Sequence, residues 1–344
     1  MTDQVTASPN MAPAGEEVED SSKTGNVFKM ASKDGHFHRQ ISSFRSWVKP
    51  SSDTTAQFPA AKGRYALYIN LGCPWAHRVN IMRGLKKLES IIQLITLDYE
   101  MGPEGWFFSG RAGTDAKDPL YGHTKIKDLY LHADPEYKAR YTVPVLWDKE
   151  RETIVNNESS EIIRMLESSF DEFLPAEEGE DSKGEKGLYP QNLRQEIDTF
   201  NTFIYDYINN GVYKTGFAGT QEAYESHLFP LFKALDDVEK HLQESKHQPY
   251  LFGEHITEAD VRLYTTLIRF DSAYFTIFKC NLKMIRDERE YPRLHKWLRM
   301  LYWGEEKAFR ETTNFEHIKK GYVMATKLSV VPGGPYPDIL PLDA

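Results

Sequence analysis

The chain has 344 residues, 40% hydrophobic and 13% aromatic, enough to bury one large core or two ordinary ones. A formal net charge of −9 and a pI near 5.7 exclude a basic stripe as the main working face, so small molecules or proteins are expected partners and nucleic acid is not. Two cysteines, Cys73 and Cys280, are too few for a disulfide framework and imply a reducing compartment, by default the cytoplasm.

Residues 1–25 are rich in Ser, Thr, Pro and acid and cannot bury enough apolar surface to offset their ordering entropy; a disordered tail is expected up to residue 36. Its beginning has no apolar stretch of signal-peptide type and no arginine, which argues against a secretory or transit segment. No apolar run is long enough to span a bilayer, so no membrane is expected as a partner. From Phe37 to Trp47 aromatic and basic residues return (Phe44, Arg39, Arg45), the pattern of an arm packed on a domain that can line a site.

Arg64–Asn70 is an apolar run of β type, followed by Gly72 and by Pro74, a residue suited to the first turn of a helix. Val79, Met82, Leu85 and Leu88 give that helix a buried stripe, and Ile91–Leu97 reads as a second strand, completing a βαβ unit. Residues 99–140 show no clear periodicity and read as a long loop of the kind kept for a site. Tyr141–Trp147 and Thr153–Val155, separated by a charged turn, predict a β-hairpin, and Glu158–Phe170 a helix packed back on the sheet. Residues 171–190 contain an acidic, glycine-bearing stretch that marks a linker. Beyond it the pattern is helical throughout: 193–208, 222–242, 257–275 and 294–302 carry apolar residues three and four apart. The domains expected are therefore an α/β domain over 37–170 and an all-α domain over 191–328, with a proline- and glycine-rich tail over 329–344 wrapped on the surface.

The chemistry points to Cys73. A helix N-terminus offers unpaired N–H groups and the positive end of the macrodipole, so a thiol there loses its proton more readily than in water. In Gly72-Cys-Pro-Trp-Ala76 the position three after the cysteine is Ala76, so an internal disulfide cannot form and an outside thiol must resolve any mixed disulfide. The competing reading is an inert buried thiol, which is the better one for Cys280. A cis bond at Val143-Pro144 would present the Val143 backbone to a ligand; an ordinary edge-strand proline is the alternative. Glu158-Ser159 can hold the ammonium and carboxylate of a ligand or simply cap the helix, and spacing alone does not decide between them. Thr257-Glu-Ala-Asp260 is a structural capping box. His317 is expected on a solvated helical face, and nothing has metal-ligand spacing.

Gly72-Cys-Pro-Trp-Ala-His-Arg78, Thr142-Val-Pro-Val145, Asn157-Glu-Ser-Ser160, Thr257-Glu-Ala-Asp-Val-Arg-Leu263 and Phe278-Lys-Cys-Asn281 occur in an order that resembles the glutathione transferases, among them the cysteine-using omega-like classes and most of all the xi class of glutathionyl-hydroquinone reductases. The likeness runs from about Phe37 to the C-terminal tail. It implies an α/β thioredoxin-like N-terminal domain plus an all-α C-terminal domain, the glutathione transferase fold, usually paired as a homodimer, with glutathione as co-substrate and no metal. Carried over, Cys73 is the nucleophile, and Trp106, Arg140, Val143, Glu158 and Ser159 resemble the glutathione pocket. Tyr205, Tyr264, Tyr274, His317 and Tyr322 are the candidates over the aromatic substrate, with Tyr205 first as proton donor, although an aromatic at core spacing is more often packing. The implied activity releases hydroquinone and oxidised glutathione from glutathionyl-hydroquinones. An omega-type thiol transferase or dehydroascorbate reductase shares the same cysteine, and a non-catalytic ligand-binding module would leave it idle.

Overall fold

The structure, a computed structural model, describes residues 35–37, 40–326, 328–335, 339 and 341–342. The expected disordered tail lies outside the described residues except for Gly35 and His36, which are pinned: Gly219 donates its N–H to Gly35 O at 3.0 Å, and the His36 and His227 ring nitrogens meet at 3.0 Å.

Two short strands, β1 (Val48–Lys49) and β2 (Phe58–Pro59), pair in parallel ahead of the main sheet. That sheet begins with β3 (Tyr65–Asn70), crosses over through α1 (Pro74–Leu85) to β4 (Gln93–Leu97), and is completed beyond the site loop by β7 (Val145–Asp148) and β8 (Thr153–Asn156) before α3 (Ser159–Ser168). Its order is β4-β3-β7-β8, with β3 parallel to β4 and antiparallel to β7. All six residues of β3 are buried, so the strand reads as a continuous apolar run, as a central strand covered on both faces must. The expected βαβ unit and hairpin are both present, the hairpin with a bulge between Leu146 and Trp147.

Residues 99–140 are more ordered than a long loop. They hold a small hairpin of β5 (Met101–Gly102) and β6 (Gly105–Trp106) and the helix α2 (Ile126–Ala133). Lys125 precedes α2 without any side-chain cap, so the sequence carries no start signal there. Nor is α1 a simple amphipathic helix: α3 packs along it from one side and the helical half from another, and His77, Arg78 and Asn80 are buried with its apolar residues.

The stretch expected as a solvated linker is fastened down. It coils into short turns that include α4 (Glu180–Lys183), and the buried Lys86 ammonium binds Asp171 Oδ1 at 2.9 Å and Glu180 Oε1 at 3.0 Å. The helical half comprises α5 (Arg194–Ile204), α6 (Gly211–Gly216), α7 (Gln221–His241), α8 (Glu258–Arg269), α9 (Phe275–Ile277), α10 (Pro292–Trp303), α11 (Ala308–Glu311) and α12 (Phe315–Ala325). Every residue of α8 is buried, and its start is closed by the capping box of Thr257 and Asp260. π-helical turns follow α5 at Tyr205–Asn209 and α8 at Phe270–Tyr274. Among the described residues of the tail, Pro332 O accepts from Lys319 Nζ at 2.8 Å, and Ile339 O accepts from Trp303 Nε1 at 2.8 Å. No helix among them is long and apolar enough to cross a membrane.

Candidate active site

The turn from β3 into α1 is organised around Asn70. Asn70, buried at the strand end, accepts the Gly72 N–H on Oδ1 at 2.8 Å and the Cys73 N–H on its carbonyl at 3.1 Å, and its own amide donates to Asp98 O. Cys73 is the N-cap residue, with extended backbone (φ −78, ψ 122) and Pro74 next, and the first turn of α1 holds no acidic residue to neutralise the positive end of the helix. Gly72 is obligatory for a local reason: a Cβ there would stand 2.9 Å from His317 O, because α12 comes down against the turn.

Cys73 opens, half-buried, into a cavity between the two halves of the fold. Its Sγ lies 3.8 Å from Val143 O, next to the Val143–Pro144 peptide, which is cis. Trp106 from β6 and Arg140 from the loop before β7 line the same cavity, and Gln40 of the arm reaches over it, accepting the Arg140 N–H on Oε1 at 3.2 Å. The facing wall is aromatic. Trp75 stacks on Tyr213 (6.3 Å between centroids), Tyr213 packs edge-on to Phe278 (5.5 Å), and Phe37 of the arm lies on Phe217 (5.3 Å). Three hydroxyls form a chain behind this wall: Tyr213 to Tyr322 at 2.7 Å, and Tyr322 to Tyr274 at 2.7 Å. Burial pushes the Tyr274 and Tyr322 pKa values well up, which keeps both hydroxyls protonated.

The family is now decided by comparison. The glutathione S-transferase N-terminal domain family matches residues 72–169 and the C-terminal domain family residues 221–299. Glutathione S-transferase omega-like 2 of Schizosaccharomyces pombe is 48% identical over 318 residues, covering 91% of this chain and 98% of that protein. A glutathionyl-hydroquinone reductase of Escherichia coli is 43% identical over 313 residues, covering 89% of this chain and 90% of its own. The crystal structure of a xi glutathione transferase from Phanerochaete chrysosporium superposes with a TM-score of 0.82 at 49% identity, covering 89% of this chain and 100% of that one. A xi enzyme from Saccharomyces cerevisiae solved in complex with glutathione gives 0.81 at 43% identity, covering 90% and 99%. This chain belongs to the glutathione S-transferase family, in its xi class.

Against this xi-class frame the expected site residues divide. Cys73, Trp106, Arg140, Val143, His317 and Tyr322 line the one cavity. Glu158 and Ser159 do not. Glu158 is the N-cap of α3, accepting from Ser160 N at 3.1 Å and Ser160 Oγ at 2.9 Å, and the Ser42 hydroxyl of the arm takes its other oxygen at 3.1 Å. Burial works to raise the Glu158 pKa, but the Ser160 hydrogen bonds and the Arg78 guanidinium outweigh it and hold the carboxyl below its ordinary value. Ser159 is buried at the first helical position.

Tyr205 stands outside the cavity lining, 37% exposed and edge-on to Trp75 at 5.9 Å. It opens the π turn after α5. Tyr264 is sealed in the helical core, bonded to Phe309 O at 3.2 Å and Thr313 Oγ1 at 3.0 Å, and Tyr274 lies behind the cavity lining, its hydroxyl bonded to that of Tyr322. His317, expected on a solvated face, is fully buried, with Nε2 against Ala112 O at 3.0 Å. Tyr213 is the residue that sequence reading missed. It sits in the six-residue α6, bracketed by Gly211 and Gly216, which read as helix breakers; a Cβ on Gly216 would lie 2.3 Å from Phe278 Cγ, so the glycine marks the close packing of α6 on the aromatic wall. Cys280 is buried, and burial pushes its thiol pKa up, the state of an inert cysteine. Among the described residues no three His, Cys, Asp or Glu side chains gather as a metal site.

Proposed function

We propose that the chain removes glutathione from glutathionyl-hydroquinones by two thiol transfers on Cys73. The observation that carries this reading is the placement of one free cysteine at the N-cap of α1, the other cysteine being buried, facing a wall that ends in a chain of tyrosine hydroxyls. Relatives that are 43% and 42% identical bear the name glutathionyl-hydroquinone reductase. The glutathione moiety lies against Val143, whose backbone pairs with the tripeptide, between Trp106 and Arg140; the hydroquinone ring lies on the aromatic wall.

In the first step the Cys73 thiolate attacks the glutathionyl sulfur. The S–S bond of Cys73–S–SG forms, the bond from sulfur to the ring carbon breaks, and the electron pair left on the ring takes a proton. Tyr213 is the donor. Its hydroxyl belongs to a residue that lines the cavity and is bonded to the Tyr322 hydroxyl, itself bonded to that of the buried Tyr274, so the wall carries a proton donor backed by two further hydroxyls. A second glutathione then attacks the mixed disulfide as its thiolate, giving oxidised glutathione and the Cys73 thiolate, and its thiol proton restores the tyrosine. An aromatic wall suits a hydroquinone ring better than the small polar substrate of a dehydroascorbate reductase. Residence in the reducing cytoplasm accords with two cysteines that form no disulfide. Cys73→Ser tests the scheme: loss of conjugate reduction with retained glutathione binding is expected, and turnover surviving in that variant refutes it.

A further inference from the structure

Arg269 ends α8 and is completely buried, yet among the described residues no carboxylate lies within ion-pair distance of it. Its donors go to neutral acceptors. Nε donates to Gly72 O at 3.0 Å, Nη2 to Leu71 O at 3.4 Å and Nη1 to Thr265 O at 2.7 Å. Nη1 also meets His77 Nδ1 at 2.9 Å. Because a guanidinium only donates, that nitrogen is an acceptor and the His77 proton is on Nε2, facing Thr312 Oγ1 at 2.9 Å. Burial first, and the Arg269 charge second, push the His77 pKa well down, so this histidine is neutral and brings no charge of its own. The result is a buried cation, compensated only by neutral acceptors, three carbonyls and the His77 ring nitrogen, and clamped to the two residues that precede Cys73. A charge held out of water in this way is costly to a fold and gathers at working sites.

We infer that Arg269 is a positioning residue for Cys73: it ties the helical half to the turn that aims the sulfur, and its unneutralised charge favours the thiolate. The inference rests on the thiol-transfer reading above. The other groups around the cavity leave this charge unopposed. Arg140 is a second cation, and no carboxylate is among the lining residues. Arg269 also lowers the pKa values of Tyr274 and Tyr322 against the larger effect of burial, so its field extends across the hydroxyl relay.

The test is the pH dependence of Cys73 alkylation by iodoacetamide in the full chain, followed by mass spectrometry of the Cys73 peptide, alongside thermal unfolding. In the unaltered protein the midpoint should lie well below the ordinary thiol value of about 8.5. Arg269→Met should raise it by about one unit, roughly a tenfold loss of thiolate at pH values below both midpoints. Arg269→Gln, which keeps a donor for Gly72 O but no charge, should do the same and serves if the methionine variant fails to fold. Arg269→Lys should bring the midpoint back. A purely structural role would lower thermal stability in these variants without moving the midpoint. An unchanged midpoint in a folded neutral variant, or a lysine variant no better than the neutral ones, overturns the inference and leaves the thiolate reading standing; a midpoint near 8.5 in the unaltered protein overturns the thiolate reading itself.

Discussion

Replacing Tyr213 by Phe removes one oxygen from the cavity wall and leaves the ring in its packing between Trp75, Phe217 and Phe278. The structural cost is small: one 2.7 Å hydrogen bond to Tyr322 is lost, worth about 1 kcal/mol, and Tyr322 keeps Tyr274 as a partner, so no buried hydroxyl is orphaned. The thermal midpoint should fall by no more than about 2–4 °C. Catalysis should suffer far more, because loss of a positioned proton donor removes on the order of 10²–10⁴ in rate, about 3–5 kcal/mol on the barrier. The loss should be selective. Cleavage of a conjugate leaves a carbon that must be protonated, whereas reduction of a glutathione mixed disulfide releases a thiolate that needs no donor. The assay is therefore kcat on a glutathionyl-hydroquinone beside kcat on a glutathionylated peptide, in the same preparation. A hundredfold or greater fall on the first with less than tenfold on the second is expected. Equal losses on both, or no loss on the conjugate, would refute the assignment of Tyr213.

Glu167 of α3 is buried, and burial first, then the neighbouring Glu258 and Glu180 carboxylates, push its pKa up to about 9 against the opposing charges of Arg164 and Lys86. An unfolded glutamate releases its proton near 4.3, so between those values the folded state holds a proton that the unfolded state does not, and stability falls as pH rises, by at most about 1.4 kcal/mol per pH unit. Glu167→Gln should flatten this slope in denaturation curves from pH 5 to 9; an undiminished slope would show the acid to be ionised in the fold. Lys86→Met strands the Asp171 and Glu180 carboxylates that share the buried ammonium and should cost about 3–5 kcal/mol, with faster proteolysis within 171–187; unchanged stability and cleavage would mean that the segment is held by other contacts. Gly216→Ala forces a Cβ to 2.3 Å from Phe278 and should destabilise by at least about 1–3 kcal/mol while weakening conjugate turnover through displacement of α6, and a fully active, equally stable variant would contradict the packing described.

Local chemistry made much of this protein legible in its sequence. The apolar run before Gly72 and the proline after Cys73 were enough to place a thiol at a strand-to-helix turn, since strand burial and helix N-terminal preference act over a few residues. The capping box at Thr257 was equally plain, because both of its hydrogen bonds join neighbours in the chain. Glu158 was the limiting case: as helix cap and as ligand group it has the same spacing, and its cap role shows only in its bonds to Ser160 and to Ser42 of the distant arm. For the substrate wall, the family resemblance pointed to Tyr205 and passed over Tyr213. The first opens a π turn outside the cavity lining, and the second lies in a helix too short and too glycine-flanked to leave a periodic signal.

The sequence by itself thus determined the strand-to-helix turn that carries Cys73 and the two-part architecture, both consequences of interactions between residues close along the chain. The tertiary structure alone decided what surrounds that cysteine. Tyr213, His317 and Tyr322 line the cavity and Arg269 holds the turn beneath it; all four come from helices more than a hundred residues away in sequence, brought there because the fully buried α8 and the aromatic wall pack against α1 and its turn. Contacts between distant segments depend on how whole faces of helices fit together, and no short stretch of sequence records that fit.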